Sequence, residues 1–186
     1  SYSMAVQIII TIFMIVCSIN FNVYYFLLIR RPKDALLNEE MRWYLGIILV
    51  ATACITMNIK SRFDNIGNAV QTALFRVASV ASSTGFSSTD FNLWPEFSKT
   101  ILVVLMFIGA CAGSTGGGFK VSRLMIIVRS VKNEIMSVTH PRSVQKVHMD
   151  GHRIPDATVK TVLCYLAAYV LLIIVSVVFV SMDEFD

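Results

Sequence analysis

The sequence predicts an all-α membrane protein, and three observations carry the prediction. Of the 186 residues, 55% are hydrophobic and only 15% are charged, with a mean hydropathy of +0.67. The apolar residues gather in blocks long enough to cross a bilayer, for which a helix needs about 20 residues. Two Ser/Thr/Gly segments, 82–90 and 113–118, interrupt sequence that is otherwise helical in pattern. Backbone that leaves a helix at membrane depth cannot hydrogen-bond to lipid, so it must lie buried in protein or line a water-filled cavity.

Taken in order, Ala5 to Ile29 is the first expected span, and Arg30, Arg31 and Lys33 mark its cytoplasmic end. Asn20 and Asn22 do not share a helix face, so at least one is expected to bond to a neighbouring helix. Pro32 closes a turn. Asn38 is the expected N-cap of a second span, Glu39 and Glu40 place negative charge in its first turn, and Trp43 and Tyr44 sit where an interfacial aromatic belt belongs. That span continues to about Met57, and 58–68 reads as an outer loop.

Ala69 to Val80 is helical in pattern, carries Gln71, Thr72 and Arg76, and is too short to cross a bilayer. Followed at once by Ser82-Ser83-Thr84-Gly85-Phe86-Ser87-Ser88-Thr89-Asp90, it is expected to enter and leave on one face. Charge parity favours this over a full span. With a re-entrant element the next span, Lys99 to about Val128, ends at Arg123, Arg129, Lys132, Arg142, Lys146, Arg153 and Lys160 on the cytoplasmic side. The acidic Asp183, Glu184 and Asp186 then fall outside. Within the basic stretch, Asp150-Gly151 signals a two-residue turn and Val144 to Ile154 a hairpin, and Asp156 is the expected N-cap of a last span, Thr158 to Met182.

The interruption of the third span is the sharper of the two. Gly113, Ser114, Thr115, Gly116, Gly117 and Gly118 include four glycines, each costing about 1 kcal/mol in a helix interior. Overlapping small-xxx-small frames account for Gly109 as helix packing but not for three consecutive glycines. Phosphate-loop spacing is absent, since Phe119 separates Gly118 from Lys120. In Ser83-Thr84-Gly85-Phe86, a glycine lets successive carbonyls face one axis, and the preceding helix directs its negative end there, which suits a cation. The competing reading is a Ser/Thr-rich helix cap.

Residues 72–90 with Trp94-Pro95, followed by Gly109-Ala110-Cys111-Ala112 and the glycine run to Phe119-Lys120, resemble the third repeat of the membrane subunit of Trk/Ktr potassium transporters. The resemblance extends through Asn38 and Glu39 upstream and His140-Pro141-Arg142 with Asp150-Gly151 downstream. It implies a potassium-channel-like fold of helix, re-entrant pore loop and helix, with a glycine-interrupted spanning helix. It implies that Ser83, Thr84, Gly85 and Phe86 form one quarter of a selectivity filter, with potassium at Thr84 and Gly85, and that 113–118 is a gating loop beneath it. By the same resemblance, 1–37 ends a preceding repeat, 38–137 is a complete repeat, 138–157 is a cytoplasmic basic loop and 158–186 opens the next repeat. The chain is then a piece of a four-repeat chain whose other filter elements, and a last-helix arginine bracing the loop, lie outside it. A homodimer and a cytosolic nucleotide-binding regulatory ring are the implied partners, in a bacterial-type plasma membrane, with the potassium ion as cargo and no cofactor.

Other classes find little support. Ser82, Ser83, Ser87 and Ser114 have no histidine at membrane depth, because His140, His148 and His152 all lie in the basic loop, so catalysis is not expected. His148 and His152 lack a further ligand cluster nearby. The net charge of +4 reads as topology, with no aromatic-interleaved patch for nucleic acid. Cys17, Cys54, Cys111 and Cys164 fall in apolar runs and read as packed side chains. Arg76 is either a functional charge or one that snorkels or pairs. Asp64 and Asp90 are outer-loop charges, and Lys120 is expected to reach the cytoplasmic headgroups. A non-conducting membrane scaffold remains the alternative, with an intramembrane enzyme behind it.

Overall fold

The computed structural model describes residues 3–63, 65–87, 94–139 and 146–182. The expectations placed on Asp64, Ser88, Thr89, Asp90, His140-Pro141-Arg142 and the acidic terminus lie outside those residues. Eight helices are described: α1 (Met4–Cys17), α2 (Phe21–Leu28), α3 (Pro32–Leu37), α4 (Glu39–Ile59), α5 (Ile66–Ala81), α6 (Glu96–Ile108), α7 (Val121–Thr139) and α8 (Asp156–Met182). They fall into two compact units, Ser1–Ser122 and Arg123–Asp186.

In the first unit α5 is central and packs against α1, α4 and α6. Ala69, Ala73 and Val77 recur every four residues and are fully buried, so the neighbouring helices approach closely on that face. Tyr44, Ile48, Ile55 and Ile59 of α4, and Leu102 and Leu105 of α6, are buried, while Met14 of α1 packs with Phe75 and Ala78. Large apolar side chains on the outer faces, among them Leu49, Val50, Val103 and Met106, are exposed, as lipid-facing positions are. At 16 residues α5 is about 24 Å long, short of the roughly 30 Å hydrocarbon core.

Asn38 caps α4 as expected, its side chain accepting from Met41 N at 2.9 Å. Asn38→Ala is expected to cost about 1 kcal/mol, with Asn38→Ser close to unaltered. Thermal unfolding in detergent checks this: equal midpoints for all three forms would remove the cap from the stability account.

Several elements differ from expectation. Ala5 to Ile29 is not one continuous helix: α1 and α2 meet at 90°. Asn20 starts α2 by accepting from Asn22 N at 2.9 Å, and the freed carbonyls of Cys17 and Ser18 take partners elsewhere in the unit. Pro32 opens α3 rather than closing a turn, which its missing N–H permits at a first helical position. The expected outer loop 58–68 shrinks, because α4 runs to Ile59, a 3-10 turn follows over Lys60–Arg62, and α5 begins at Ile66. Tyr44 is 1% exposed and belongs to the core, whereas Trp43 is exposed.

In the second unit, β1 (His148–Met149) and β2 (His152–Arg153) pair antiparallel, His148 opposite Arg153. Asp150 and Gly151 both have positive φ, as the predicted two-residue turn requires. Asp156 is the first residue of α8 rather than its cap: the Pro155 carbonyl accepts from Thr158 N and Val159 N, and the Asp156 carboxylate meets Lys146 at 3.4 Å. Arg123 stacks over the Tyr165 ring at 3.9 Å. The 27 residues of α8 have a mean hydropathy of 2.8 over their most apolar window, which is only 6% buried. A helix so apolar on every side is suited to lipid. Cys17 and Cys164 are exposed rather than packed, while Cys111 is buried.

Candidate functional site

The site lies in the first unit, where α5 ends. Ser83 N donates to the Val80 carbonyl at 3.1 Å and Thr84 N to the Ser79 carbonyl at 3.0 Å. Ser83 has φ +58, so the pair of bonds forms the reciprocal helix stop that usually places glycine at this left-handed position. Gly85 N also donates to the Ser79 carbonyl, at 3.3 Å. Ser79 Oγ reaches the Phe86 carbonyl at 2.6 Å, joined by Arg76 Nη1 at 3.4 Å. The hydroxyls of Ser82 and Thr84 are 2.7 Å apart.

This segment therefore has its amides taken up by the helix that precedes it. Among the described residues no hydrogen bond engages the carbonyls of Ser83, Thr84 or Gly85. Chemically, that leaves oxygen donors at the negative end of a helix, the arrangement that suits a cation. The Phe86 carbonyl accepts from two side chains of α5, which anchors the end of the segment. Arg76 thereby contacts the segment's backbone from the helix that precedes it.

The glycine interruption is wider than its motif, running from Gly109 to Lys120 between α6 and α7. Its base is closed by main-chain bonds: Phe119 N to the Phe107 carbonyl at 3.0 Å, Lys120 N to that of Ile108 at 2.8 Å, and Val121 N to that of Ala110 at 3.1 Å. Gly109 has φ +71, and a Cβ there would lie well inside contact distance of the Gly117 carbonyl. At Gly118, φ +87, a Cβ would come within 2.7 Å of Gly109 Cα. Helix packing thus does not account for Gly109; two backbone passes touching at the loop base do.

Gly109→Ala is expected to prevent closure, costing at least about 2 kcal/mol, since left-handed backbone alone costs roughly 1–2 kcal/mol for a residue with a Cβ. Limited proteolysis in detergent checks this; a cleavage pattern and thermal midpoint equal to the unaltered chain would exclude the backbone contact.

The loop tip rests on the break between α1 and α2. Cys111 N donates to the Ser18 carbonyl at 3.1 Å, Phe21 N to the Gly113 carbonyl at 3.2 Å, and Thr115 Oγ1 to the Cys17 carbonyl at 3.1 Å. The returning arm lies against the end of α5: a Cβ on Gly116 would be 3.3 Å from the Ser82 carbonyl, and one on Gly117 would be 3.3 Å from Ser83 Oγ. Ser114 Oγ bonds locally to the Cys111 carbonyl. Lys120 also departs from expectation: its ammonium turns back onto the Gly116 carbonyl instead of extending to headgroups. Ser83 to Phe86 and Gly113 to Gly118 are thereby neighbours.

Sequence reasoning missed Glu40. Its side chain is 1% exposed, and its Oε1 accepts from Ala112 N at 2.6 Å and Ser122 N at 3.0 Å, while Oε2 accepts from Asn20 Nδ2 at 3.1 Å. Although it sits in the first turn of α4, its carboxylate caps the first turn of α7, as an anion at a helix N-terminus should. A signal was present: Glu40, Tyr44 and Ile48 recur every four residues, placing the acid on the buried stripe of α4.

Residues 41–186 match the family model described as TrkH, cation transport protein. The chain is 29% identical over 190 aligned residues to the Trk system potassium uptake protein TrkH of Salmonella typhimurium, with 99% of this chain and 39% of that protein aligned. The TrkH of Vibrio parahaemolyticus serotype O3:K6 is 30% identical, covering 98% of this chain and 39% of that one. The crystal structure of the potassium transporter TrkH from Vibrio parahaemolyticus superposes with a TM-score of 0.92 at 27% identity, covering all of this chain and 41% of that one. The chain spans about two fifths of the length of these relatives.

Proposed function

The chain belongs to the TrkH family of cation transport proteins, and from that premise we propose that it supplies one repeat of a potassium-uptake pore. In this reading Ser83, Thr84, Gly85 and Phe86 form one quarter of the filter, the first three offering their carbonyls and Phe86 anchoring the end of the segment to α5, with potassium held at Thr84 and Gly85. Residues 113–118 obstruct the path beneath it and move aside when the pore opens.

The observation that carries the reading is the contact of the glycine arm with the filter segment, Gly116 beside the Ser82 carbonyl and Gly117 beside Ser83 Oγ. A cation leaving a filter at this end of α5 would meet that arm. Three bonds already join the amides of 83–85 to α5, so the carbonyls are held without help from the ion. Preorganised carbonyls can replace a hydration shell without a large ordering cost.

The remaining filter quarters belong to other repeats of a longer chain, and 38–137 is the complete repeat present here. The assembly is a homodimer in the bacterial plasma membrane. The second unit offers Arg129, Lys132, Lys146 and His148 around one cavity, a basic surface suited to a cytosolic nucleotide-binding regulatory ring. The ring would bind the nucleotide, and no activity as an enzyme is proposed for this chain.

The test is rubidium uptake by cells lacking their own potassium uptake, expressing the full-length chain that contains these residues together with its regulatory ring. Saturable rubidium uptake supports the reading. Its absence, with both proteins at the membrane, favours the scaffold reading.

A further inference from the structure

We infer that Glu40 is the positioning residue that latches the glycine loop in its obstructing place. The inference rests on the proposed gate and names the side chain that holds it. One carboxylate fixes the segment at both ends: Ala112 N enters the loop and Ser122 N leaves it, both on Oε1, at 2.6 and 3.0 Å. Through Oε2 it takes Asn20 Nδ2, at 3.1 Å, which stands at the α1–α2 break where the loop tip rests. No other described side chain joins these three places.

The strength of the latch follows from its charge and surroundings. A buried carboxylate accepting from three N–H groups makes bonds roughly twice as strong as neutral ones. The bonds that seat the loop tip on Cys17, Ser18 and Phe21 are neutral and singly weaker, and the glycines give the backbone many conformations once those bonds part. A segment whose two ends share one ion is loosened by weakening that ion. The filter segment would keep its shape, since the bonds that shape it run to α5 and none involves Glu40.

Two substitutions separate the latch from a folding role. Glu40→Gln preserves size and leaves one oxygen for Ala112 and Ser122, but it removes the charge and faces an amide nitrogen toward Asn20 Nδ2. Asn20→Asp keeps an oxygen for Asn22 N, hence the cap of α2, while placing a second carboxylate against Glu40. The assay is rubidium and sodium uptake in the full-length chain, unaltered, with each substitution, with 116–118 deleted, and with the deletion and Glu40→Gln combined.

Each substitution is expected to raise rubidium uptake about tenfold or more per protein at the membrane, as loss of a charge-assisted bond would, with the rubidium-to-sodium ratio unchanged. The combined form should exceed the deletion alone by nothing, since a latch has no effect once the loop is gone. Uptake at or below the unaltered level in whichever substituted form reaches the membrane overturns the latch, as does a multiplied effect in the combined form. Failure of both substituted forms to reach the membrane assigns Glu40 to folding and equally overturns it. If the deletion raises uptake while the substitutions do not, the gate stands and the latch alone falls; if the deletion also leaves uptake unchanged, the gate falls with it.

Discussion

Gly85→Ser, in the full-length chain, lowers the preference for rubidium over sodium by about tenfold, the consequence of roughly 1–2 kcal/mol of strain at a left-handed residue that acquires a Cβ. Gly85 has φ +77, and a Cβ built there meets nothing within 4 Å. The effect is therefore conformational and not a clash. Serine relieves the strain by rotating φ toward negative values, which swings the Thr84–Gly85 peptide and turns its carbonyl away from its neighbours. A filter discriminates by offering potassium a nearly complete set of oxygens, so one misdirected carbonyl in one quarter penalises potassium more than sodium. An unchanged ratio in a well-expressed Gly85→Ser chain sinks the assignment of Ser83, Thr84 and Gly85 to the filter, whatever the total uptake.

Deleting 116–118 acts on the other half of the site. It removes the Gly117 carbonyl that Ala110 N meets at 3.4 Å, the Gly116 carbonyl that Lys120 grips, and the arm that lies beside Ser82 and Ser83. Rubidium uptake is expected to rise by an order of magnitude or more, since about 1.4 kcal/mol taken from a closed state shifts an open-closed equilibrium tenfold. The rubidium-to-sodium ratio should hold, because the bonds shaping 83–86 originate in α5. Uptake at or below the unaltered level, with normal membrane insertion, counts against a gate. The two experiments read different quantities, so a chain that passes one and fails the other divides the filter from the loop.

Much of this was written in local chemistry. Composition and block length fix helices of the spanning kind, as α4 and α8 bear out, and Asn38 starts α4 through a bond to a residue three positions away. Asp150-Gly151 needs only its own backbone preferences to turn. The glycine run forces a break, and α6 does end before it. These features depend on interactions within a few residues, so sequence spacing carries them.

What tertiary structure alone decided depends on partners far along the chain. The apolar run Ala5 to Ile29 satisfies every length criterion for one span, yet it bends because the carbonyls of Cys17 and Ser18 find amides of the glycine loop about a hundred residues later. Lys120 looks like a side chain bound for headgroups until Gly116 is folded beneath it. Glu40 reads as a dipole-complementing acid of α4, and only the packed structure brings Asn20, Ala112 and Ser122 to it. The sequence by itself determined which segments are helical and where the helix must fail, because backbone preference and hydrophobic length are local quantities. It could not determine where freed carbonyls and a buried charge would be satisfied. Within a membrane that requirement is absolute, and only the packed fold supplies the partners.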